Sequence, residues 1–325
     1  MRYAGLISLA AWAAVFFLAP AVWAADAPVS NAQDPDFKLQ GEYQGEVKTA
    51  EGEMRLGAQI VALGEGQFHA VAHLGGLPGD DWDGSSKFEA DGELADGVVK
   101  FPGEHMRGEL KDAVLHLIDA DDKEVGQLKR VERASPTLGA KPPAGAVVLF
   151  DGASADEFEP GRMADDGLLI AGATSKRKFQ SCHLHVEFLL PFMPAARGQA
   201  RGNSGCYLQG RYEVQMLDSF GLAGEDNECG GIYRVSRPSI NMCYPPLAWQ
   251  TYDIDFTAAK YEGDKKVKNA TITVQHNGVE IQRNVELPQA TTAAPVPEGP
   301  EPGPIYLQDH GNPVRYRNVW LVEKP

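Results

Sequence analysis

Short runs of residues that alternate between polar and apolar recur along most of this chain. An alternation with a period of two is the pattern of a β-strand that buries one face. Turn-forming stretches such as GEG, PGDD, ADG and HNG separate the runs, and few segments show the period of an α-helix. The clearest runs are residues 57–63, 67–74, 98–101, 114–118, 147–150, 183–190, 271–275 and 279–285. The pattern therefore predicts an all-β protein.

The stretch ASPTLGAKPPAG at residues 134–145 interrupts the strand pattern. Proline and small residues of this kind are typical of a linker. The linker separates residues 25–133 from residues 146–325, and both pieces have ordinary domain sizes. We therefore predict a small accessory β domain, either a barrel or a sandwich, followed by a larger β domain. A second proline-rich stretch at 290–303 predicts a long surface loop between two late strands.

The first 24 residues are typical of a secretory signal peptide. Arg2 gives a positive start, residues 4–22 are mostly apolar, and Val22, Trp23 and Ala24 form a small-x-small cleavage site. The alternative is an uncleaved membrane anchor. No later stretch is long and apolar enough to span a bilayer. The sequence therefore predicts a secreted protein, in a bacterial periplasm, with no membrane span in the mature chain.

The chain is acidic, with 30 Lys and Arg residues against 45 Asp and Glu residues and a formal net charge of −15. A negative protein repels the phosphate backbone, so nucleic acid is not an expected partner. The simplest interpretation of the charge is solubility.

Four cysteines, an even number, permit disulfides in an oxidising compartment. Their spacing matches no zinc-binding pattern. Cys229 and Cys243 flank a short loop and are the first candidate pair, whereas Cys182 and Cys206 lie near two predicted strands. The alternative is four small buried thiols.

The stretch RGNSGCYLQGRYEVQMLDS at residues 201–219 carries large hydrogen-bonding side chains on a predicted strand face. Tyr207, Gln209, Glu213 and Gln215 share that face if the hairpin loop has three residues. A two-residue loop would separate them.

A second polar strand face lies in HLHVEF, where His183, His185 and Glu187 point the same way. Such a set can bind a metal ion. A divalent cation held by His185 and Glu187 would polarise a carbonyl, whereas sugar hydrogen bonding or an ordinary half-exposed strand would explain the same residues.

A third polar face lies in GPIYLQDHGNPVRYRNVWL at residues 303–321. Tyr306, Gln308 and His310 alternate with apolar or turn residues, and Arg315 and Arg317 share a face in the next strand. Buried polar groups need partners, so core packing does not explain this pattern. Three such faces predict a polar groove that binds a sugar. The candidate stacking residues for that groove are Tyr207, Tyr233 and Trp249.

Residues 146–325 resemble the 3-keto-disaccharide hydrolase domain family, also described as 3-keto-glucoside 1,2-lyase and 3-keto-2-hydroxyglucal hydratase. The match begins at VVLFDG, and its motifs in chain order are EF at Glu187–Phe188, GNSGCYLQGRYEVQMLDS, GGIY, WQTYDI, NG at Asn277–Gly278 and GPIYLQDHGNPVRYRNV. Gln209 stands where many members have Arg. The resemblance implies a concanavalin-like jelly-roll sandwich, preceded here by the accessory β domain.

The resemblance also implies cleavage of 3-keto-glycosides. A ketone at C3 acidifies the C2 proton, a base removes that proton, and the aglycone leaves C1 by β-elimination. Water can then add to the 2-hydroxyglucal. This chemistry needs a base, a donor near the C3 oxygen and an acid for the leaving group. No G-x-G-x-x-G motif follows a predicted strand, so no nicotinamide cofactor is expected.

The predicted catalytic residues are His310 and Glu213. Histidine side chains exchange protons near neutral pH, and Glu213 could orient His310, act as the base or ligate a cation. The predicted substrate-binding residues are Glu187, Asn203, Tyr207, Gln209, Gln215, Tyr233, Trp249, Gln308 and Arg317.

Two other functions fit a jelly roll. One is a non-catalytic, lectin-like carbohydrate-binding module. The other is a conventional glycosidase, but Gln215 stands where that mechanism wants a central acid, and a two-carboxylate site is hard to assemble around Glu213 and Asp218.

Overall fold

The structure is a computed structural model that describes residues 33–49, 52–82, 84 and 86–324. The predicted signal peptide at residues 1–24 lies outside the described residues and stays a prediction. Within the described ranges, no helix is long and apolar enough to cross a membrane.

The first eight strands form a closed antiparallel barrel in which each strand pairs with the next and the last pairs with the first. A short helix, α1 (Pro35–Leu39), precedes them and is capped by the Asp34 side chain. The strands are β1 (Gly41–Thr49), β2 (Gly52–Gly64), β3 (Gln67–Leu74), β4 (Lys87–Ala95), β5 (Val98–Phe101), β6 (Met106–Lys111), β7 (Val114–Asp119) and β8 (Glu124–Val131).

Alternate side chains of the strands point into the barrel and fill its interior. In β2, Ala58, Ile60 and Ala62 belong to its apolar core, whereas Val61 between them packs into the core of the second region. Closing the barrel leaves no unpaired strand edge, so this small region needs no partner chain to satisfy its backbone.

The second region is a sandwich of two antiparallel sheets, with one additional hairpin. The five-stranded sheet has the order β10 (Phe158–Glu159), β12 (Ala173–Phe179), β21 (Gly303–Leu307), β14 (Ser204–Leu208), β15 (Tyr212–Met216). The seven-stranded sheet has the order β11 (Leu169–Ile170), β22 (Arg315–Glu323), β13 (Cys182–Leu189), β16 (Trp249–Thr257), β19 (Ala270–His276), β20 (Val279–Leu287), with β9 (Val147–Phe150) also paired to β22. The hairpin consists of β17 (Lys260–Glu262) and β18 (Lys265–Lys268). The all-β jelly-roll sandwich preceded by a small β domain is confirmed.

The core of the sandwich lies between the two sheets. Leu184, Val186 and Phe188 of β13 face it from one side, and Cys206 and Val214 face it from the other. Burial of each such side chain stabilises the fold by roughly 1.5–3 kcal/mol. The intervening residues of these strands must therefore face outward, on opposite sides of the molecule.

The proline-rich segment at 134–145 is bound to the sandwich rather than free. It crosses the outer face of the seven-stranded sheet, where the Gly139 amide donates to Glu187 Oε1 at 2.5 Å and the Ala140 carbonyl accepts from Trp320 Nε1 at 3.2 Å. The linker predicted from composition is thus a packed connecting segment.

The second proline-rich stretch lies between β20 and β21, as predicted, and is held by the β14–β15 hairpin. The Thr291 amide donates to the Arg211 carbonyl at 2.9 Å, and the Val296 amide donates to the Gly210 carbonyl at 3.0 Å. These bonds satisfy the backbone of a segment that forms no strand.

All four cysteines are buried free thiols. The predicted Cys229–Cys243 disulfide is therefore wrong. The two thiols do meet through a side-chain hydrogen bond, and Cys229 Sγ also lies 3.2 Å from the Tyr252 hydroxyl. Burial in the sandwich core, the alternative stated above, accounts for these residues.

Candidate active site

The β14–β15 hairpin positions the central carboxylate. Tyr207 pairs directly with Glu213, and the Arg211 amide donates to the Leu208 carbonyl at 3.0 Å. The loop is therefore Gln209, Gly210 and Arg211, and the three-residue register assumed from the sequence is confirmed. Because Val214 faces the core, Glu213 faces outward from the five-stranded sheet.

Glu213 is only 3% exposed and has a single side-chain donor. The Tyr207 hydroxyl donates to Oε2 at 2.7 Å, and Oε1 accepts no hydrogen bond from the described residues. Burial raises the pKa of Glu213 to about 7, although the bond from Tyr207 opposes the shift. A carboxylate with one open oxygen and a near-neutral pKa can accept a proton from a substrate at working pH.

A glycine leaves room for this carboxylate. Gly205 pairs with Gln215 on the neighbouring strand, and a Cβ added at Gly205 would overlap Glu213 Oε1. The backbone φ of Gly205 is not in the left-handed region. Close approach, not backbone conformation, is therefore the reason for glycine at this position.

Side chains from β21 and the segment after β15 complete the surface. Gln308 Nε2 donates to the Tyr207 hydroxyl at 3.3 Å, and the Tyr306 and Tyr207 ring centroids are 5.5 Å apart. The Tyr233 amide donates to the Glu213 carbonyl at 3.2 Å. We call the outward residues Tyr207, Glu213, Gln215, Tyr306 and Gln308 the Glu213 face.

Amide side chains close one end of the Glu213 face. Gln215 Nε2 donates to Gln199 Oε1 at 3.2 Å, and Asn203 Nδ2 donates to the Gln199 carbonyl at 2.8 Å. Asn203 Oδ1 and Gln308 Oε1 are buried without a partner among the described residues. Buried acceptors of this kind are unfavourable unless a ligand or water binds them.

Gln199 was missed from the sequence. It precedes the polar strands, at the centre of a short 3-10 helix (Gly198–Ala200). No alternation marks such a position, so no strand pattern could have identified it.

His310 lies two residues beyond Gln308, in the turn after β21. It is exposed, and no hydrogen bond joins it to Glu213 in the described part of the chain. The turn is ordered by Asp309, whose Oδ1 accepts from the Gly311 amide at 2.8 Å. The structure thus places His310 in a solvent-exposed turn, two residues along the chain from Gln308 of the Glu213 face.

Gln209 does not join the Glu213 face. Its left-handed φ of 55° ends the strand alternation, and its amide donates to the Phe179 carbonyl at 3.1 Å and to Gln180 Oε1 at 2.8 Å. Its Oε1 accepts from Arg211 Nη1 at 3.1 Å. The shared face predicted for Gln209 is wrong, because its side chain holds the hairpin tip.

Four predicted site residues lie on the other side of the sandwich. The neighbours of Glu187 on β13 face the core, so Glu187 faces outward from the seven-stranded sheet. His185, Trp249 and Arg317 lie on the same outer surface. The single groove predicted across three strands is therefore wrong, because β13 belongs to the opposite sheet.

This second cluster is fully engaged in structural contacts. Glu187 Oε2 accepts from Arg317 Nε at 2.7 Å, and Oε1 accepts from Asn318 Nδ2 at 2.8 Å as well as from Gly139. Burial alone would raise the pKa of Glu187, but the donors, with His185 among them, lower it to about 2. The Arg317 guanidinium carbon lies 3.9 Å from the centre of the Trp249 ring.

The predicted metal ligands do not suit a cation. His185 Nδ1 contacts Asp253 Oδ1 at 2.7 Å, and its ring stacks on Trp320 at 5.0 Å. Burial opposes protonation, but the two neighbouring carboxylates outweigh it and raise the pKa of His185. Both ring nitrogens already have protein partners, because Asp253 contacts Nδ1 and the Asn318 side-chain amide lies 3.4 Å from Nε2. Among the described residues, no group of three or more His, Cys, Asp or Glu is arranged to hold a metal ion.

Comparisons with known proteins agree with this architecture. The model of the 3-keto-alpha-glucoside-1,2-lyase-like domain family matches residues 145–322. A protein of Parabacteroides distasonis ATCC 8503, provisionally classed as a glycosyl hydrolase, is similar to this chain at 34% identity and a TM-score of 0.50, over 56% of this chain and 85% of that one.

A second solved structure from that organism, described in the same words, has 17% identity and a TM-score of 0.41, over 56% of this chain and 94% of that chain. No curated protein sequence matches the chain. The family match covers more than half of the chain, including every strand of both sheets except the last residue of β22. The chain belongs to the 3-keto-alpha-glucoside-1,2-lyase-like domain family.

Proposed function

We propose that this protein cleaves 3-keto-glycosides, with Glu213 as the base that removes the C2 proton. The family and the 34%-identical relative support a carbohydrate-active, glycosyl hydrolase-like protein. The observation that carries the finer proposal is the Glu213 carboxylate, which is buried, has one open oxygen and has its pKa raised to about 7.

The reaction proceeds in two stages. Glu213 Oε1 takes the C2 proton, and the electron pair of the C–H bond forms an enediolate with the C3 oxygen. Collapse of the enediolate forms the C1–C2 double bond and expels the aglycone oxygen with the bonding pair of C1. Water then adds across C1 and C2, with the hydroxyl on C1 and the proton on C2, so the net result is hydrolysis.

The neighbouring side chains have distinct roles in this scheme. Tyr207 holds the carboxylate through Oε2, which leaves Oε1 for the substrate. Gln308 Oε1 and Asn203 Oδ1, which have no partner among the described residues, accept from the sugar hydroxyls. Gln215 holds Gln199 beside them, and Tyr233 and Tyr306 offer rings to the apolar faces of the sugar. His310, at the solvent edge, is the candidate acid that protonates the departing aglycone.

A conventional two-carboxylate glycosidase is less well supported. The nearest carboxylate along the chain, Asp218, is 2% exposed and accepts from Arg201 Nε at 2.6 Å. A general acid or nucleophile must reach the glycosidic bond. Asp218 instead holds a buried arginine, so it is not available as that second carboxylate.

The location of this chemistry is also a proposal. We infer export to a bacterial periplasm from the predicted signal peptide, and an extracytoplasmic glycoside as the substrate. N-terminal sequencing of protein recovered from the periplasmic fraction should find a start near Ala25. Recovery of intact Met1 from the soluble cytosolic fraction would contradict export.

Turnover separates an enzyme from a lectin-like module. The purified protein should release the aglycone from a 3-keto-glucoside and should not release it from the parent glucoside, because only the ketone acidifies C2. Saturable binding of the 3-keto-glucoside without product would favour the binding module. Equal turnover of both substrates would favour a conventional glycosidase.

A further inference from the structure

A cleft of about 340 Å³ lies where the barrel meets the sandwich. None of its residues belongs to the Glu213 face. Its barrel side includes Gln59, His73, Trp82 and Lys87, and its sandwich side includes Leu222 and Arg237. The family match begins at residue 145, so the barrel side lies outside the family domain.

A buried chain of hydrogen bonds determines which ring nitrogen of His73 carries the hydrogen. Arg133 pairs with Glu42, and Glu42 Oε1 accepts from Gln59 Nε2 at 3.3 Å. A carboxylate can only accept, so the Gln59 amide oxygen must face the other way, toward His73 Nε2 at 3.3 Å. His73 Nε2 therefore carries the hydrogen, and Nδ1 is left as a bare acceptor.

This acceptor has no partner in the described part of the chain. His73 is 3% exposed, and Nδ1 is buried without a hydrogen bond. Burial, assisted by Lys87 and Arg133 and opposed by Glu89, lowers the pKa of His73 to about 4, so the ring is neutral at neutral pH. His73 lines the cleft, and a buried acceptor without a partner is satisfied when a neighbouring group donates a hydrogen bond to it.

The surroundings of His73 suit a ring with an apolar face. The Trp82 indole lies edge-on to His73 at 4.6 Å between ring centres, and Leu222 on the opposite wall is 46% exposed. A sugar ring presents C–H groups on its faces and hydroxyl donors around its edge. An indole beside a hydroxyl acceptor therefore matches a saccharide.

We propose that this cleft is an accessory binding site for an unoxidised saccharide chain, one of whose hydroxyls donates to His73 Nδ1 while its ring packs against Trp82. The choice of glucosyl units as the saccharide rests on the proposed function. The site would hold the glycan that carries the oxidised sugar, on a surface built by the barrel and the sandwich together.

Isothermal titration of the full chain with maltotetraose and with cellotetraose tests the site and its preference for linkage. We expect saturable binding of at least one of them. Trp82→Ala and His73→Gln should each weaken that binding roughly tenfold. His69→Ala is the matched control, because His69 lies on the same strand and outer face but is paired with Asp91 and Glu89 outside the cleft.

Two further measurements separate this site from the Glu213 face. Glu213→Gln should leave tetrasaccharide binding unchanged, whatever happens to turnover of a 3-keto-glucoside. The ¹⁵N resonance of His73 Nδ1 should shift on binding, as for a nitrogen that accepts a hydrogen bond. Binding of neither sugar, or binding unaltered by Trp82→Ala with no shift at His73, would overturn the proposal.

Discussion

Glu213 and Glu187 are both buried strand carboxylates, yet their pKa values move in opposite directions. Glu187 accepts from Arg317, Asn318 and the Gly139 amide, and these donors lower its pKa to about 2. Glu213 has one hydroxyl donor, so burial dominates and raises its pKa to about 7. Glu187 is a structural anchor, and Glu213 has the properties of a base.

The raised pKa of Glu213 predicts a pH-dependent stability cost. The folded pKa of Glu213 exceeds the unfolded value of 4.5, so the contribution of its protonated carboxyl group to stability is fully present below pH 4.5. That contribution is lost as the pH rises through about 7, because the buried group then ionises. Over this window the residue should lower the free energy of unfolding by roughly 3 kcal/mol. Denaturant unfolding of the wild type and Glu213→Gln should show the variant gaining relative stability as pH rises. A constant difference across the window would contradict the buried, shifted carboxylate.

Gly205→Ala should impair turnover more than folding. The added methyl group overlaps Glu213 Oε1, the end of a flexible side chain, so the carboxylate must move while the backbone stays allowed. We expect kcat on a 3-keto-glucoside to fall by roughly 10-fold or more, because small misplacements of reacting groups are costly. Gly299→Ala, which meets only an ordinary contact with Arg211, is the control. Equal activities of the two variants would show that Glu213 Oε1 does not reach the substrate.

His310 and Asp309 are adjacent but should differ in effect. His310→Ala should lower turnover by roughly 10²–10⁴-fold if it protonates the leaving group, with the fold unchanged. Asp309→Asn should act mainly on stability, because it removes the charge that pairs with Arg162 at 3.9 Å and keeps an oxygen that accepts from the Gly311 amide. Near wild-type turnover of His310→Ala, measured with a poor leaving group, would remove its catalytic assignment.

At the scale of strands and loops, the sequence predicted alternation well and long-range pairing poorly. The polar residues of β13, β14, β15 and β21 do face away from the core, as their period of two requires. Which sheet contains β13 depends on its pairing with β16 and β22, far along the chain. No local pattern encodes that pairing, and so Glu187, Trp249 and Arg317 were placed in the wrong groove.

Irregular backbone limited the prediction in a similar way. Gln209 itself has a left-handed φ, so the alternation of strand faces with a period of two ends there. The segment at 134–145 has a linker composition, yet Thr137 Oγ1 donates to Asp253 Oδ2 at 2.7 Å and binds it to the sheet. Composition indicates an absence of regular structure and does not indicate an absence of contacts.

Glu187→Gln should loosen the connecting segment. The Gln side chain has one oxygen, so it cannot accept from both the Gly139 amide and the Arg317 guanidinium, and its NH2 group faces one of these two donors. A buried donor is therefore left unpaired, at a cost of about 1–3 kcal/mol. The low pKa of Glu187 means that its contribution is present above pH 4.5 and is lost as the pH falls through about 2. Denaturant unfolding at neutral pH measures the loss, and Glu262→Gln on an exposed strand is the control.

Added divalent cation should not change the unfolding free energy of the wild type or of Glu187→Gln, because nitrogen donors already occupy both oxygens of the wild-type carboxylate. Stabilisation of the wild type alone by a cation would instead support the metal site predicted from the sequence.

At the scale of the whole molecule, the proposed catalytic face and the connecting segment lie on different sheets of the sandwich. The Glu213 face lies on the outer side of the five-stranded sheet, within the family domain, and the connecting segment covers the outer side of the other sheet. The barrel–sandwich arrangement was predictable only as two β regions. The contact between them depends on residues such as Arg201, whose Nη1 donates to the Ala62 carbonyl of the barrel at 3.2 Å, and these look like ordinary surface residues in sequence.

The central claim is that Glu213, in its ionised form, removes the C2 proton of a 3-keto-glycoside. The most direct test is kcat/KM for a 3-keto-glucoside across neutral pH, in the wild type and in Glu213→Gln. Because the base must be deprotonated, wild-type kcat/KM should fall as the pH drops through about 7. Glu213→Gln should be slower by roughly 10²–10⁴-fold and should lack that titration. A variant that keeps wild-type kcat/KM, or that keeps the same titration near pH 7, would contradict the account.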